Sequence, residues 1–104
     1  MDVIVEKLGE DVLLLDIRSL STIADYFVIC QTATERQMQA VHEGVLTQLK
    51  EMGVRALHSE GARASGWVLM DYGSVLVHIF LPLTRSYYDL EQLWKDAKTV
   101  VRIQ

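Results

Sequence analysis

The stretch TATERQMQAVHEGVLTQLKEMG, residues 32–53, limits the fold more than any other. Met38, Val41, Val45, Leu49 and Met52 recur at steps of three and four residues, which draws one apolar stripe along a helix. Thr32 followed by Glu35 has the form of a capping box, in which hydroxyl and carboxylate satisfy free N–H groups at the helix start. Gly53 falls where a left-handed C-terminal cap is wanted. Gly44 inside the helix costs about 1 kcal/mol relative to alanine, so close packing favours a small residue there.

The flanking segments read as strands. DVLLLDI (11–17) and DYFVICQ (25–31) are short apolar runs whose near-continuous hydrophobicity suggests central strands covered on both faces. Their connection, eight residues (RSLSTIAD) if Asp25 is counted with it, is too short for a crossover helix, which makes the pair antiparallel. VRALHSE (54–60) reads as a third strand and GARASG (61–66) as a loop. WVLMDYGSVLVHIF (67–80) adds two strands around Asp71-Tyr72-Gly73-Ser74, and Pro82 ends the second because proline cannot donate to a sheet ladder. SYYDLEQLWKDAK (86–98) reads as a helix capped by Ser86, with Leu90, Leu93, Trp94 and Ala97 on its apolar face. The order β-β-α-β-β-β-α predicts an α/β fold: a mixed β-sheet of about five strands with packed helices, in a single domain spanning 1–104.

Composition narrows the function. Half of the residues are hydrophobic and 23% are charged, enough for one modest core and little room for a deep enclosed active site. The net charge of -4 disfavours gripping phosphates, so no sequence-specific nucleic-acid binding is expected; a basic protein surface is the more natural partner. The single cysteine, Cys30, cannot form an internal disulfide, and nothing resembles a secretory signal, so a cytoplasmic protein is expected. No apolar stretch approaches the roughly 18–20 residues that span a bilayer, so no membrane contact is expected.

Asp71, Tyr72 and His78 lie close together in the 67–80 hairpin and raise the question of a catalytic site. With two or four loop residues, Trp67 is expected opposite His78 and Leu69 opposite Leu76. One face then carries Trp67, Leu69, Asp71, Leu76, His78 and Phe80, the aromatic-anchored composition of a protein interface; Val68, Met70, Val75, Val77 and Ile79 make the other, a dry core. A three-residue loop with Gly73 in a left-handed bulge would instead shift the pairing by one and turn Trp67 toward the valines. The first register separates the two chemical characters and is preferred. It places Asp71 too far along the strand to orient His78, and no nucleophile is fixed beside the imidazole, so the catalytic reading fails on geometry.

The other chemistry-bearing residues are weaker. His58, Glu60 and His42 fall short of the three or four converging ligands of a metal site, and no glycine-rich phosphate loop occurs, so no cofactor is expected. Cys30 reads as a small buried hydrophobe. Asp16 and Asp25 stand at strand ends, where they cap loops. Arg85 beside Tyr87 and Tyr88 is either a stacked surface cation or an ion-pair partner for Glu91. No enzyme is legible.

Taken together, DVLLLDIRSLSTIADYFVIC (11–30), ERQMQAV (35–41), Glu60-Gly61, GWVLMDYGSVLVHIF (66–80) and RSYYDLEQLWKDA (85–97) resemble the ribosomal silencing factor (RsfS, or Iojap) family. The resemblance implies a nucleotidyltransferase-like fold without the catalytic motif; no Gly-Ser followed by Asp-x-Asp occurs here. It implies binding to the large ribosomal subunit through ribosomal protein L-fourteen. That contact would block subunit joining and repress translation when nutrients are short. Organellar relatives are linked to large-subunit assembly, and members are often homodimers when free. The family's hairpin and Glu-Gly segment map onto Glu60, Trp67, Leu69, Asp71, Tyr72 and His78, and its arginine onto Arg85, as the expected partner-binding residues. Two departures stand out: only about ten residues precede the first strand, and LPLT (81–84) lacks the acid often found before the arginine.

Overall fold

The computed structural model describes residues 10–22, 24–61 and 65–103. One mixed sheet holds β1 (Glu10–Asp16), β2 (Tyr26–Gln31), β3 (His58–Glu60), β4 (Trp67–Asp71), β5 (Val75–Phe80) and β6 (Lys98–Ile103), in the spatial order β3-β4-β5-β2-β1-β6. β1 and β2 are antiparallel as their short connection requires, with Leu15 opposite Phe27. β2 and β5 are parallel, so the chain between them crosses over through α1 (Glu35–Glu51). The sixth strand is a correction to the five expected: its β-branched run, KTVVRI, pairs antiparallel with β1 at the sheet edge.

Helix α1 lays Met38, Val41 and Val45 on one sheet face, against Val12, Val28, Cys30, Val68, Met70, Val77 and Ile79. Its start differs from the expected box. Thr34, not Thr32, is the N-cap: its hydroxyl accepts from Gln37 N at 3.1 Å, while Gln37 Oε1 accepts from Ala33 N at 3.1 Å. Thr32 is buried and donates to the Thr34 carbonyl oxygen. Its end is as expected. Gly53, at φ +83°, donates to the Lys50 carbonyl and Val54 donates to that of Leu49, the paired bonds of a Schellman cap. Met52 is the C-cap and is exposed, so the stripe stops at the half-buried Leu49.

The opposite face carries a second core of Leu13, Leu15, Ile17, Ala24, Phe27, Ile29 and Phe80. Here the single helix expected over 86–98 is broken. Pro82 opens α2 (Pro82–Tyr88), where its missing N–H costs nothing, and Asp89 turns left-handed at φ 47° before the one-turn α3 (Leu90–Leu93). Leu90, Trp94 and Ala97 cover the core, whereas Leu93 points to solvent at 73% exposure. Among the described residues no helix is long and apolar enough to cross a membrane.

Candidate functional site

The hairpin 67–80 turns one residue later than expected. Its two-residue loop is Gly73-Ser74, with Tyr72 N donating to the Val75 carbonyl at 2.9 Å. Gly73 has φ +86°, the positive φ that a Gly-first hairpin turn demands, and Asp71 Oδ1 accepts from its N–H at 2.7 Å. Trp67 therefore faces Phe80 rather than His78, and Leu69 faces His78 rather than Leu76. The pairing moves by two residues, which preserves the alternation, so both face assignments stand.

What those faces do is a larger correction. The Trp67 face is core for half of its width: Phe80 and His78 are buried there, under the segment carrying Leu90, Trp94 and Ala97. Among the described residues, its β3–β4 margin stays open. His58, Glu60, Trp67, Leu69 and Asp71 share this margin, because His58 pairs with Asp71 and Glu60 with Leu69. An open cleft of about 310 Å3 runs along it, lined by Glu60, Gly61, Ser65, Trp67, Leu69 and Tyr88. Gly61, at φ +112°, lies so close to β4 that a Cβ would collide with the Trp67 carbonyl oxygen.

Trp67 is the centre of an aromatic cluster. Its ring stacks on Phe80 at 5.2 Å and 24°, and meets Tyr88 at 4.6 Å and 46°. Its indole Nε1–H donates to His78 Nδ1 at 3.2 Å. His78 is only 5% exposed, and burial pushes its pKa down to about 4, so the imidazole is neutral near pH 7. Of the seven residues expected to touch a partner, Glu60, Trp67, Leu69 and Asp71 reach one open surface. His78 lies behind it, hydrogen-bonded to Trp67. Tyr72 packs with the α1-side core, its hydroxyl enclosed and without a hydrogen-bond partner among the described residues; burial raises its pKa. Tyr88, which the sequence reading left out, joins the cleft because α2 brings it over Trp67. Its signal was the second aromatic directly after Tyr87.

Arg85 is no surface cation. At 5% exposure it donates from Nε to Glu91 at 3.1 Å and from Nη1 to the Asp11 carbonyl at 2.9 Å, which ties α2 to β1. Asp11, at φ 45°, sits in an irregularity of β1 and also receives Arg102 at 3.2 Å. Of the two earlier readings of Arg85, the Glu91 ion pair is the one present.

The remaining polar groups have local work. His42 and Ser59 hydrogen-bond at 2.8 Å and link α1 to β3; burial lowers the His42 pKa. Asp16 holds Arg18 through both carboxylate oxygens, and these hydrogen bonds keep its pKa at about 2. Burial lifts the Cys30 thiol to about 12, which leaves it unreactive. No group of three or more His, Cys, Asp or Glu among the described residues converges as a metal site would require.

Comparison with known proteins agrees with this architecture. The family model described as "Ribosomal silencing factor during starvation" matches residues 1–104. "Ribosomal silencing factor RsfS" of Bacillus subtilis is 44% identical over 92 residues, covering 88% of this chain and 78% of that protein. "Mitochondrial assembly of ribosomal large subunit protein 1" of mouse is 30% identical over 89 residues, covering 83% of this chain but 39% of that longer protein. The crystal structure of a Chromobacterium violaceum protein superposes with a TM-score of 0.86 at 36% identity, covering 90% of this chain and 78% of that one. With a family match over the whole length and a relative this similar, the chain belongs to the ribosomal silencing factor family.

Proposed function

We propose that this chain is a non-enzymatic, cytoplasmic translational repressor, acting as one domain over residues 1–104. It binds the large ribosomal subunit through ribosomal protein L-fourteen and sterically blocks subunit joining when nutrients are limited. The observation that carries the reading is the open β3–β4 margin, where Trp67 and Tyr88 wall a cleft whose one formal charge among the described lining residues is Glu60. Aromatic anchors beside a carboxylate suit a basic ribosomal protein, and a steric blocker needs no reacting group. Glu60, Trp67, Leu69 and Asp71 are the proposed contacts, with His78, Tyr72 and Arg85 supporting them from within. Gradient sedimentation tests the reading: the protein should travel with free large subunits and deplete joined ribosomes at limiting magnesium. A protein that stays at the top of the gradient ends it.

A second reading, a large-subunit assembly factor, has the likeness to the mouse protein in its favour. Accumulation of immature large subunits on depletion, with subunit joining unchanged, would select it. A nucleotidyltransferase-like ancestry of the fold fits a mixed sheet flanked by helices, and calorimetry with nucleoside triphosphates and magnesium should be silent. Homodimerisation of the free protein belongs to the same proposal. The exposed β6 edge, with Val100, Val101 and Ile103 at 37–46% exposure, supports it, and analytical ultracentrifugation would read it.

A further inference from the structure

We infer that Lys50 and Arg55, which share a concavity where α1 meets the β3 edge, form a second contact on the large subunit: a grip on the phosphate backbone of its RNA. The inference rests on the proposal that this chain docks on the large subunit, and adds an anionic partner beside the protein contact.

Much of the chain's positive charge is already neutralised within it: Arg18, Arg85 and Arg102 each hold a carboxylate. Lys50 and Arg55 are exposed and make no ion pair among the described residues. They stand on either side of the Schellman cap and line a concavity of about 420 Å3 with Leu46, Thr47 and Ala56. A helix C-terminus ordinarily repels anions through its free carbonyls. Here the N–H groups of Met52, Gly53 and Val54 occupy the carbonyls of Gln48, Leu49 and Lys50, so those three oxygens do not oppose a phosphate.

The occupant follows from what a large subunit exposes. Basic proteins are repelled by this pair, and RNA phosphates are attracted by it. Lys50 supplies a point charge and Arg55 a planar fork of donors, both suited to phosphate oxygens. Two cations on a chain of net charge -4 are too few to capture RNA from solution, and phosphate contacts read no sequence. They act once the protein contact has brought them to the surface. Their placement allows it. The Cα atoms of Arg55 and Glu60 lie no more than about 18 Å apart along the chain. The His42–Ser59 hydrogen bond at 2.8 Å holds α1, and with it Lys50, against β3.

Binding of the full-length chain to purified large subunits and to isolated L-fourteen, each across a salt series, tests the contact. Lys50→Gln/Arg55→Gln should weaken subunit binding about tenfold at low salt and lower the slope of log affinity against log salt by about 2. Its binding to L-fourteen should stay within about twofold of wild type, since rim charges facing no partner group add little. Arg36→Gln/Lys95→Gln makes the same change of net charge at two other exposed cations and should leave subunit binding nearly intact. Lys50→Arg/Arg55→Lys keeps the charges and should keep the affinity. Undiminished subunit binding by the first variant overturns the RNA contact and leaves the L-fourteen reading standing. Equal losses on subunits and L-fourteen, or an equal loss in Arg36→Gln/Lys95→Gln, also overturn it. Subunit binding that the first variant weakens, with no wild-type affinity for L-fourteen, upholds the RNA contact and ends the L-fourteen reading. A wild-type chain that binds neither target overturns both.

Discussion

The indole Nε1–H of Trp67 donates to Nδ1 of His78 at 3.2 Å, and this bond joins the open cleft to the core behind it. Accepting at Nδ1 fixes the neutral imidazole as the Nε2–H tautomer, because only one ring nitrogen then carries hydrogen. That Nε2 is buried and has no hydrogen-bond partner among the described residues. An unsatisfied buried N–H is retained at some cost to stability, and its return is a tryptophan held in one orientation.

Replacing His78 by phenylalanine keeps an aromatic ring in the stack but leaves the Trp67 N–H without its acceptor. The expected loss is about 2 kcal/mol, with fast exchange of the indole hydrogen with water. His78→Asn retains an acceptor and should restore slow exchange despite its smaller volume. Indole exchange measured by NMR separates the two; equal rates in wild type and His78→Phe would remove the hydrogen bond from the account.

Acid should act through the same residue. His78 titrates at about 4 when folded against an ordinary 6.5, so the unfolded chain binds the extra proton between those values. Stability is thus full above pH 6.5 and falls as the pH drops toward 4, by about 3 kcal/mol at 1.36 kcal/mol per unit. His42, lowered by burial, falls in the same direction. Asp16, held at about 2 against an ordinary 3.8, adds its loss only below pH 4. Urea denaturation at pH 7, 5.5 and 4.5 should show the decline, and His78→Asn should flatten most of it. Constant stability across that window would contradict the buried neutral imidazole.

The helix cap offers a local check. Thr34→Ala should cost about 1 kcal/mol, because Gln37 N loses its acceptor at the start of α1. Thr32→Val, by contrast, removes only the hydroxyl that donates to the Thr34 carbonyl at 3.2 Å. Chemical denaturation of the two variants distinguishes a cap at Thr34 from one at Thr32.

These results show which parts of the molecule the sequence made legible. The α1 stripe, the antiparallel β1–β2 pair and the two-faced hairpin could all be read, since periodicity and connection length act locally. Face assignments survived a register error because an offset of two preserves strand parity. The cover over the Trp67 face was not legible. It depends on Asp89 adopting φ 47°, which breaks the expected helix and lays Trp94 and Ala97 on Phe27 and its neighbours. The hidden state of Arg85 was equally non-local, for its carbonyl partner, Asp11, lies 74 residues away. Composition suggested a partner face; only the fold shows how narrow its open part is.

Arg85 should therefore behave as a structural bolt. Arg85→Ala removes the donor to Glu91 and to the Asp11 carbonyl and opens space between α2 and β1, at a cost of about 2 kcal/mol, since the Glu91 carboxylate is a third exposed and can be rehydrated. Arg85→Met fills the space without the charge and should recover part of that loss. If thermal denaturation finds Arg85→Ala within 1 kcal/mol of wild type, the network is a surface feature after all.

Gly61 gives the sharpest test of the cleft's geometry. A methyl group there would collide with the Trp67 carbonyl oxygen and approach Val68 Cα to 2.9 Å, on a backbone at φ +112° that side chains rarely adopt. β3 has three exposed residues at the sheet edge, so detaching it is the cheapest relief. Gly61→Ala should leave the α1 and β2–β5 core folded while β3 separates from β4, carrying Glu60 away from Trp67. Hydrogen exchange should then lose protection at the β3–β4 bonds alone, and L-fourteen binding should fall at least tenfold with little change in the unfolding midpoint of the core. Loss of protection throughout the sheet would mean that β3 is integral to the fold rather than an adjustable margin. Unchanged exchange and unchanged binding would mean that the close approach of Gly61 to β4 does not define the cleft.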